Sequence, residues 1–436
     1  MQLHGWGRFP RKDANLLEPS SPESFLEIVS EKEIAGSLIA RGAGRSYGDS
    51  ALADTVLSSR FLDSFLEINS TNNTIRCGAG VSMDTLLKVV IPHGLFLPVL
   101  PGTKHVSVGG AVAADIHGKN HHQDGSFCDH VERFSLLLSS GKTIECSPTE
   151  NKDAFCATCG GMGLTGVILE VTLKLEKVPS VTIKRKSIPA ANLEECMDLI
   201  EENEGSKHSV AWVDCLAKGE ELGRSVLHLA EHSQIGTKEY RSRKGPSIPF
   251  STPSFLINKF TTQLFNNSLY KLRKQTTKRR SVNYDAYFFP LDNIRNWNRL
   301  YGSKGFIQYQ LVLPLESARS GLREIIDRVS KSGKGSFISV LKKFGNKNEN
   351  LLSFPIAGYT LTLDFKNEKK VFPLLKQLDE IVLANKGRLY LAKDSRMSED
   401  VFKASYLSWE KFLEIKTELD PECRFASLQS TRLGLT

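Results

Sequence analysis

Two glycine-rich stretches carry the clearest chemical potential in this chain. Arg41-Gly-Ala-Gly-Arg-Ser-Tyr-Gly-Asp49 follows the short apolar run Ser37 to Ala40 and concentrates backbone N–H donors beside an arginine, a loop able to cradle a diphosphate. Pro101-Gly-Thr103 leads through Val106-Ser-Val108 to Gly109-Gly-Ala-Val-Ala-Ala-Asp-Ile-His-Gly118, a second run of small residues expected to form the other wall of a cofactor site. Gly161-Met-Gly-Leu-Thr-Gly166 spells G-x-G-x-x-G, but that motif works between a strand and the helix it opens. Here the helix-like Lys152–Thr158 precedes it and a strand follows, so a nicotinamide site is not expected and the glycines mark tightly turning backbone. His117, His121, His122 and His130 lack companion ligands in metal-binding order, and no metal is expected. Cys156-Ala-Thr-Cys159 is C-x-x-C, better explained by helix packing than by zinc or redox chemistry.

These residues must be positioned by a sizeable scaffold. The 436 residues are 40% hydrophobic and 24% charged, which excludes disordered, collagen-like and small disulfide-framed classes. Single cores stop growing near roughly 250–300 residues, so two domains are expected. Up to Val178 the chain is glycine-punctuated and α+β in character, and Val167 to Val178 alternates as a half-buried strand. A seam is expected at Pro179-Ser180. Beyond it, strand-like runs (Ser209–Cys215, Gly305–Leu313, Tyr359–Phe365) and helical patterns (Leu193–Glu202, Ala318–Ser332, Val371–Ala384) read as a sheet backed by helices.

The net charge of +8 favours anionic ligands or surfaces. Tyr240 to Arg280 reads as a long mobile loop ending in a basic cluster of Lys271, Arg273, Lys274, Lys278, Arg279 and Arg280. That cluster lacks interleaved aromatics, so no nucleic-acid partner is expected. Eight thinly spread cysteines point to a reducing compartment. Neither a signal peptide nor a membrane-spanning run is visible, and a cytoplasmic or peripheral membrane location is expected.

The first glycine loop, Leu97-Pro-Val-Leu-Pro-Gly-Thr103, Val108-Gly-Gly-Ala111, Asp115-Ile-His-Gly-Lys-Asn-His-His122, Gly163-Leu-Thr-Gly166, Gly305-Phe-Ile-Gln-Tyr-Gln310 and Tyr390-Leu-Ala-Lys-Asp-Ser-Arg396 run almost end to end. Together they resemble the vanillyl-alcohol-oxidase-type (PCMH-type) FAD-binding superfamily, and within it the decaprenylphosphoryl-β-D-ribose 2′-oxidase group. The resemblance implies an α+β fold: an FAD-binding domain over 1–178, an inserted sheet-plus-helices substrate domain over 179–387, and a C-terminal return over 388–436.

It also implies site residues. FAD contacts would come from Ala40, Arg41, Gly42, Ala43, Gly44, Arg45, Ser46, Tyr47, Gly48, Asp49 and Ser50. Gly102, Thr103, Ser107, Val108, Gly109, Gly110, Ala114, His117, Gly118, Ile168, Tyr390 and Lys393 would complete them. Arg45 stands where many relatives tether flavin through histidine, so FAD is expected to be non-covalent. Lys393, His117 and Gln310 would be catalytic, with the Lys393 ammonium stabilising negative charge at the flavin pyrimidine edge. Lys119, Trp212, Gln308, Gln310, Lys342, Phe344, Thr360 and Thr362 would line the substrate pocket. Thr362 replaces the cysteine, and Thr360 the asparagine, usual in mycobacterial members.

The implied reaction oxidises the 2′-hydroxyl of a polyprenylphosphoryl ribose to a ketone, the first half of an epimerisation to arabinose for cell-wall glycan. An NAD(P)H-dependent short-chain reductase would finish it. The competing expectation is a soluble alditol or aldonolactone oxidase; an aliphatic groove from Phe255 to Leu269 would argue against it.

Overall fold

The computed structural model describes residues 1–436 except 32, 33, 35, 244, 254, 255, 274–276, 336 and 337. Among the described residues, three sheets of three or more strands organise it. The first is a small parallel sheet of β1 (Asn15–Leu17), β2 (Leu38–Arg41) and β3 (Thr55–Ser58), in the order β1-β3-β2. Beside it lies an antiparallel sheet of β4 (Phe65–Asn69), β5 (Thr74–Gly78), β6 (Val131–Leu137), β7 (Thr143–Cys146) and β8 (Val167–Lys174), ordered β7-β6-β8-β5-β4. Cys156 lies in the helix Lys152–Thr158 and Cys159 caps it; both are buried and unpaired.

Among the described residues the third sheet has eight strands, all antiparallel: β9 (Thr182–Ala190), β10 (His208–Val213), β11 (Ser225–His232), β12 (Lys278–Asn283), β13 (Phe306–Pro314), β14 (Ser339–Phe344), β15 (Gly358–Lys366) and β16 (Arg388–Leu389). Their order is β12-β9-β11-β10-β14-β15-β13-β16. Because side chains alternate, the register sorts the residues into two faces. One face presents Ala211, Leu227, Leu341, Leu361, Leu363, Leu311 and Leu313, all buried under helices Leu193–Glu202, Leu315–Ser332 and Val371–Ala384. The other presents Gln308, Gln310, Thr360, Thr362, Val340, Lys342, Trp212, Val210, His228 and Arg185. Polar residues on a buried sheet face need partners, and this face supplies the floor of the site.

The 240–280 region corrects the loop expectation. It contains helix α1 (Lys259–Arg273) and the edge strand β12, while Lys274 lies outside the described residues. The buried stripe of α1 is Thr262, Asn266 and Tyr270, at helical spacing but mostly polar, so no apolar periodicity announces it. Asn266 donates to Asp214 Oδ1 (2.8 Å) and Tyr270 to the Ala190 carbonyl (3.1 Å), which pins the helix to the sheet. The exposed charges of Lys278, Arg279 and Arg280 suit an unpaired sheet edge.

Candidate active site

A cavity of about 1190 Å³ runs from the glycine loops across the polar face of the third sheet to the inner side of α1. At its first end β2 delivers Arg41, whose guanidinium donates to the carbonyls of His4 (2.7 Å) and Ala51 (3.2 Å) and folds the following loop back. Gly44 sits at φ +63°, a conformation that favours glycine. A Cβ on Gly42 would lie 2.0 Å from Ser107 Oγ, so glycine there lets the two loops touch. Among the described residues the N–H groups of Ala43, Gly44, Arg45 and Ser46 find no acceptor, and the buried Arg45 Nε is also unpartnered. These orphaned donors fit the diphosphate of a dinucleotide. By contrast the N–H groups of Val108, Gly109 and Gly110 are already taken by Val81, Ala79 and Ser107.

At the middle of the cavity, Asp115 accepts from Asn348 (2.8 Å), Asn350 (2.9 Å) and Ser353 (2.7 Å), which holds the turn carrying His117 against the third sheet. His117 Nε2 lies 2.9 Å from Gln310 Nε2, and its Nδ1 lies 3.2 Å from Lys342 Nζ. Burial and the neighbouring Lys342 hold this imidazole well below its usual pKa, so it carries one proton. The Gln310 amide nitrogen donates to Nε2, which puts the ring proton on Nδ1, where a neutral Lys342 accepts it. The amide orientation and the ring tautomer are therefore linked.

Lys393 sits just past β16, its backbone N–H bonded to the Tyr390 carbonyl, and its ammonium lies 3.8 Å from the Tyr47 ring centroid. Burial pushes Lys393 down to about 7, opposed by Asp364, whose carboxyl burial raises to about 7. Gln308 (2.6 Å) and Tyr301 (3.1 Å) donate to Asp364. Burial likewise brings Lys342 and Lys119 down to about 7. The remaining residues of the Lys393 string are anchors: Asp394 is ion-paired to Arg432 (2.9 Å), and Arg396 is paired to Asp379.

Most of the expected residues meet on this cavity wall, from Ala40 through Tyr47 and Ser50 to Lys393. Gly48, Asp49, Val108, Phe344 and Thr360 do not line it. A Cβ on Gly48 would be 1.7 Å from the Asp394 carbonyl oxygen, and Asp49 is bound to Arg432 (2.8 Å). Phe344 packs behind His117, with ring centroids 4.7 Å apart, and Thr360 accepts from Gln310 (3.2 Å). Leu256, Ile257, Phe265 and Leu269 give the far end an apolar wall, as the groove expectation required; Phe255 lies outside the described residues. Arg185, His228 and Tyr287 also line the cavity and went unread in the sequence, and Arg273, read there only as part of the basic cluster, lines it too. Among the described residues no group of histidine, cysteine and carboxylate side chains could hold a metal.

Residues 14–147 match the family model described as an FAD binding domain, whose cofactor the orphaned loop donors fit, and this match together with the full-length relative that follows makes the chain an FAD-dependent oxidoreductase. Decaprenylphosphoryl-beta-D-ribose oxidase of Mycolicibacterium smegmatis is 37% identical over the whole chain and 97% of its own length. L-gulonolactone oxidase of Scyliorhinus torazame is 23% identical over 94% of this chain and 92% of its own. Alditol oxidase of a Streptomyces species is 29% identical over only 36% of this chain and 38% of its own. The chain belongs to the decaprenylphosphoryl-β-D-ribose oxidase family.

Proposed function

We propose that this chain oxidises the 2′-hydroxyl of a polyprenylphosphoryl ribose to the 2′-keto sugar. The carrying observation is the continuity of one cavity, from unpartnered loop donors past Lys393, His117, Gln310 and Lys342 to an apolar wall on α1. FAD, when bound, supplies the two-electron acceptor for a hydride from the carbinol carbon. Ala43 to Ser46 would hold its diphosphate, with Tyr47, Tyr390 and Lys393 toward the reacting end. Lys393 presents a cation where negative charge grows as the oxidation proceeds. Gln310 orients His117, and the substrate hydroxyl proton leaves through the His117–Lys342 pair, whose neutral forms are accessible near neutral pH.

Non-covalent FAD is supported by Arg45 in the first loop, by the absence of cysteine from the described cavity wall, and by the engagement of both His117 nitrogens. The division into 1–178, 179–387 and 388–436 is supported by the third sheet, seven of whose eight described strands lie between Thr182 and Lys366, with the two-residue β16 of the return added at its edge. The return is supported by Phe425, which bridges to Leu38 of β2. The apolar wall weighs against a soluble alditol or aldonolactone substrate.

Among the described residues no helix is long and apolar enough to cross a membrane. Peripheral contact is supported by α1, which exposes Phe260 (73%), Leu264 (57%) and Leu272 (72%) beside the basic edge of β12. The keto product then requires a nicotinamide-dependent reductase to complete an epimerisation. Incubating FAD-loaded protein with polyprenylphosphoryl ribose should give a product lighter by two hydrogens; an unchanged substrate beside a fully oxidised flavin would overturn the reading.

A further inference from the structure

Beyond the reacting groups, the same sheet face carries cations that no step above uses. The register leads there strand by strand: Lys342 on β14 is followed by Trp212 and Val210 on β10, Val210 pairs with His228 on β11, and His228 pairs with Ser187 on β9. Arg185 is two residues from Ser187 on that face. Neighbouring strands are about 4.8 Å apart and two residues span about 6.6 Å, so the backbone of Arg185 lies roughly 16 Å from that of Lys342. Lys119 reaches into the interval from the His117 turn, and Arg273 reaches in from the last turn of α1; all three cations line the cavity.

Lys119 is held by the carbonyls of Tyr287 and Phe288 (3.2 Å to the latter). Arg185 Nε is buried without a partner. The guanidinium is acted on by Arg273 and Arg280, both repulsive, and among the described residues neither Arg185 nor Arg273 is ion-paired. His228 between them is kept neutral by burial and by Arg185, Arg273 and Lys119, and its Nδ1 is bonded to Ser187 Oγ (2.8 Å). Three neighbouring basic groups with an orphaned donor and, among the described residues, no facing carboxylate make an arrangement that an anion relieves, holding Lys119 in its charged form. The apolar wall of Leu256, Ile257, Phe265 and Leu269 adjoins them in the same cavity, so the anion that fits best carries a hydrocarbon chain.

We propose that Lys119, Arg185 and Arg273 form the binding site for the phosphate of a prenyl phosphate ester, set between the oxidation centre and the apolar wall that takes the chain. This deepens the functional reading and rests on it for the sugar, while the phosphate site is testable without any sugar. Titration of FAD-loaded protein with farnesyl phosphate, farnesol and inorganic phosphate separates the contributions of head group and chain. Farnesyl phosphate should bind at least about tenfold tighter than farnesol, because hydrogen bonds to a charged group are worth about ten- to a hundredfold. Arg185→Gln and Arg273→Gln should each weaken farnesyl phosphate by about ten- to a hundredfold and leave farnesol affinity alone. Two variants on different elements guard against one that fails to fold, and retained flavin absorbance reports on each. Arg279→Gln, on the opposite face of the exposed β12 edge, should change neither affinity; a loss as large as that of Arg185→Gln would reassign the effect to the general positive field. Equal affinities for farnesyl phosphate and farnesol, or variants that weaken both alike, would overturn the site. If farnesyl phosphate binds as expected but ribosyl substrate is not oxidised, the sugar reading fails and the phosphate site stands.

Discussion

Replacing Lys393 by methionine tests the electrostatic part of the mechanism most sharply. The side chain is buried, and its ammonium stands over Tyr47 with Asp364 as its nearest opposing charge. Methionine keeps most of the volume and removes the cation. It leaves no stranded anion, because burial already raises Asp364 to about 7 and loss of Lys393 raises it further, so the carboxyl takes up a proton in place of the lost cation. The fold and flavin content should therefore survive. Losing one preorganised donor typically lowers the rate about 10²–10³-fold, or roughly 3–4 kcal/mol of barrier, and that is the loss expected here. Anaerobic stopped-flow bleaching of the flavin absorbance by substrate measures it. Lys393→Arg should recover only part, since the planar guanidinium presents its charge differently. In the unmodified protein the rate should fall as pH rises through the Lys393 pKa, and that dependence should be absent from the methionine variant. A Lys393→Met protein that holds FAD and bleaches at the unmodified rate would make this lysine a bystander.

Acid precipitation should release all the FAD into solution, and a yellow pellet would point to a covalent tether. Thr362 lines the cavity between Gln310 and Val340, and among the described residues no base is bonded to its hydroxyl, so a thiol-directed nitroaromatic should form no adduct. Thr362→Cys should gain one by mass, and a cysteine variant that stays unlabelled would show that the position does not face the ligand. In FAD-free protein, Lys119, Lys342 and Lys393 titrate near 7 when folded and well above when unfolded, so between about pH 7 and 8 the unfolded chain binds more protons. Stability should rise over that interval by about 1 kcal/mol per lysine, and Lys342→Met should flatten the rise; a fall with pH would refute the assignment. Co-sedimentation with anionic vesicles should drop when Phe260, Leu264 and Leu272 are changed to serine, and unchanged binding would remove α1 from the membrane contact.

The strands and helices with apolar periodicity were legible in the sequence, and Leu193–Glu202 and Val371–Ala384 match to the residue. So were the glycine loops, because few residues other than glycine tolerate φ +63° at Gly44 or the contact at Gly42. Helix α1 was not, since the stripe it buries is Thr262, Asn266 and Tyr270 and its apolar residues face the cavity or solvent. Arg185 was hidden between Lys184 and Lys186 in a strand that reads as a solvated basic face. Its burial follows from pairing with β11 and β12, a long-range register that no local pattern encodes. The same limit applies to Asp49, whose partner Arg432 comes from the far end of the chain.

One cavity would bring a polyprenylphosphoryl ribose to FAD with its 2′-hydroxyl at His117, Lys342 and Lys393. Substrate deuterated at the ribose C2′ position addresses it in a single anaerobic turnover. Flavin bleaching should be slowed by a primary isotope effect, and the product should have lost that deuterium. Bleaching at an unchanged rate, with the deuterium retained in the sugar, would contradict it.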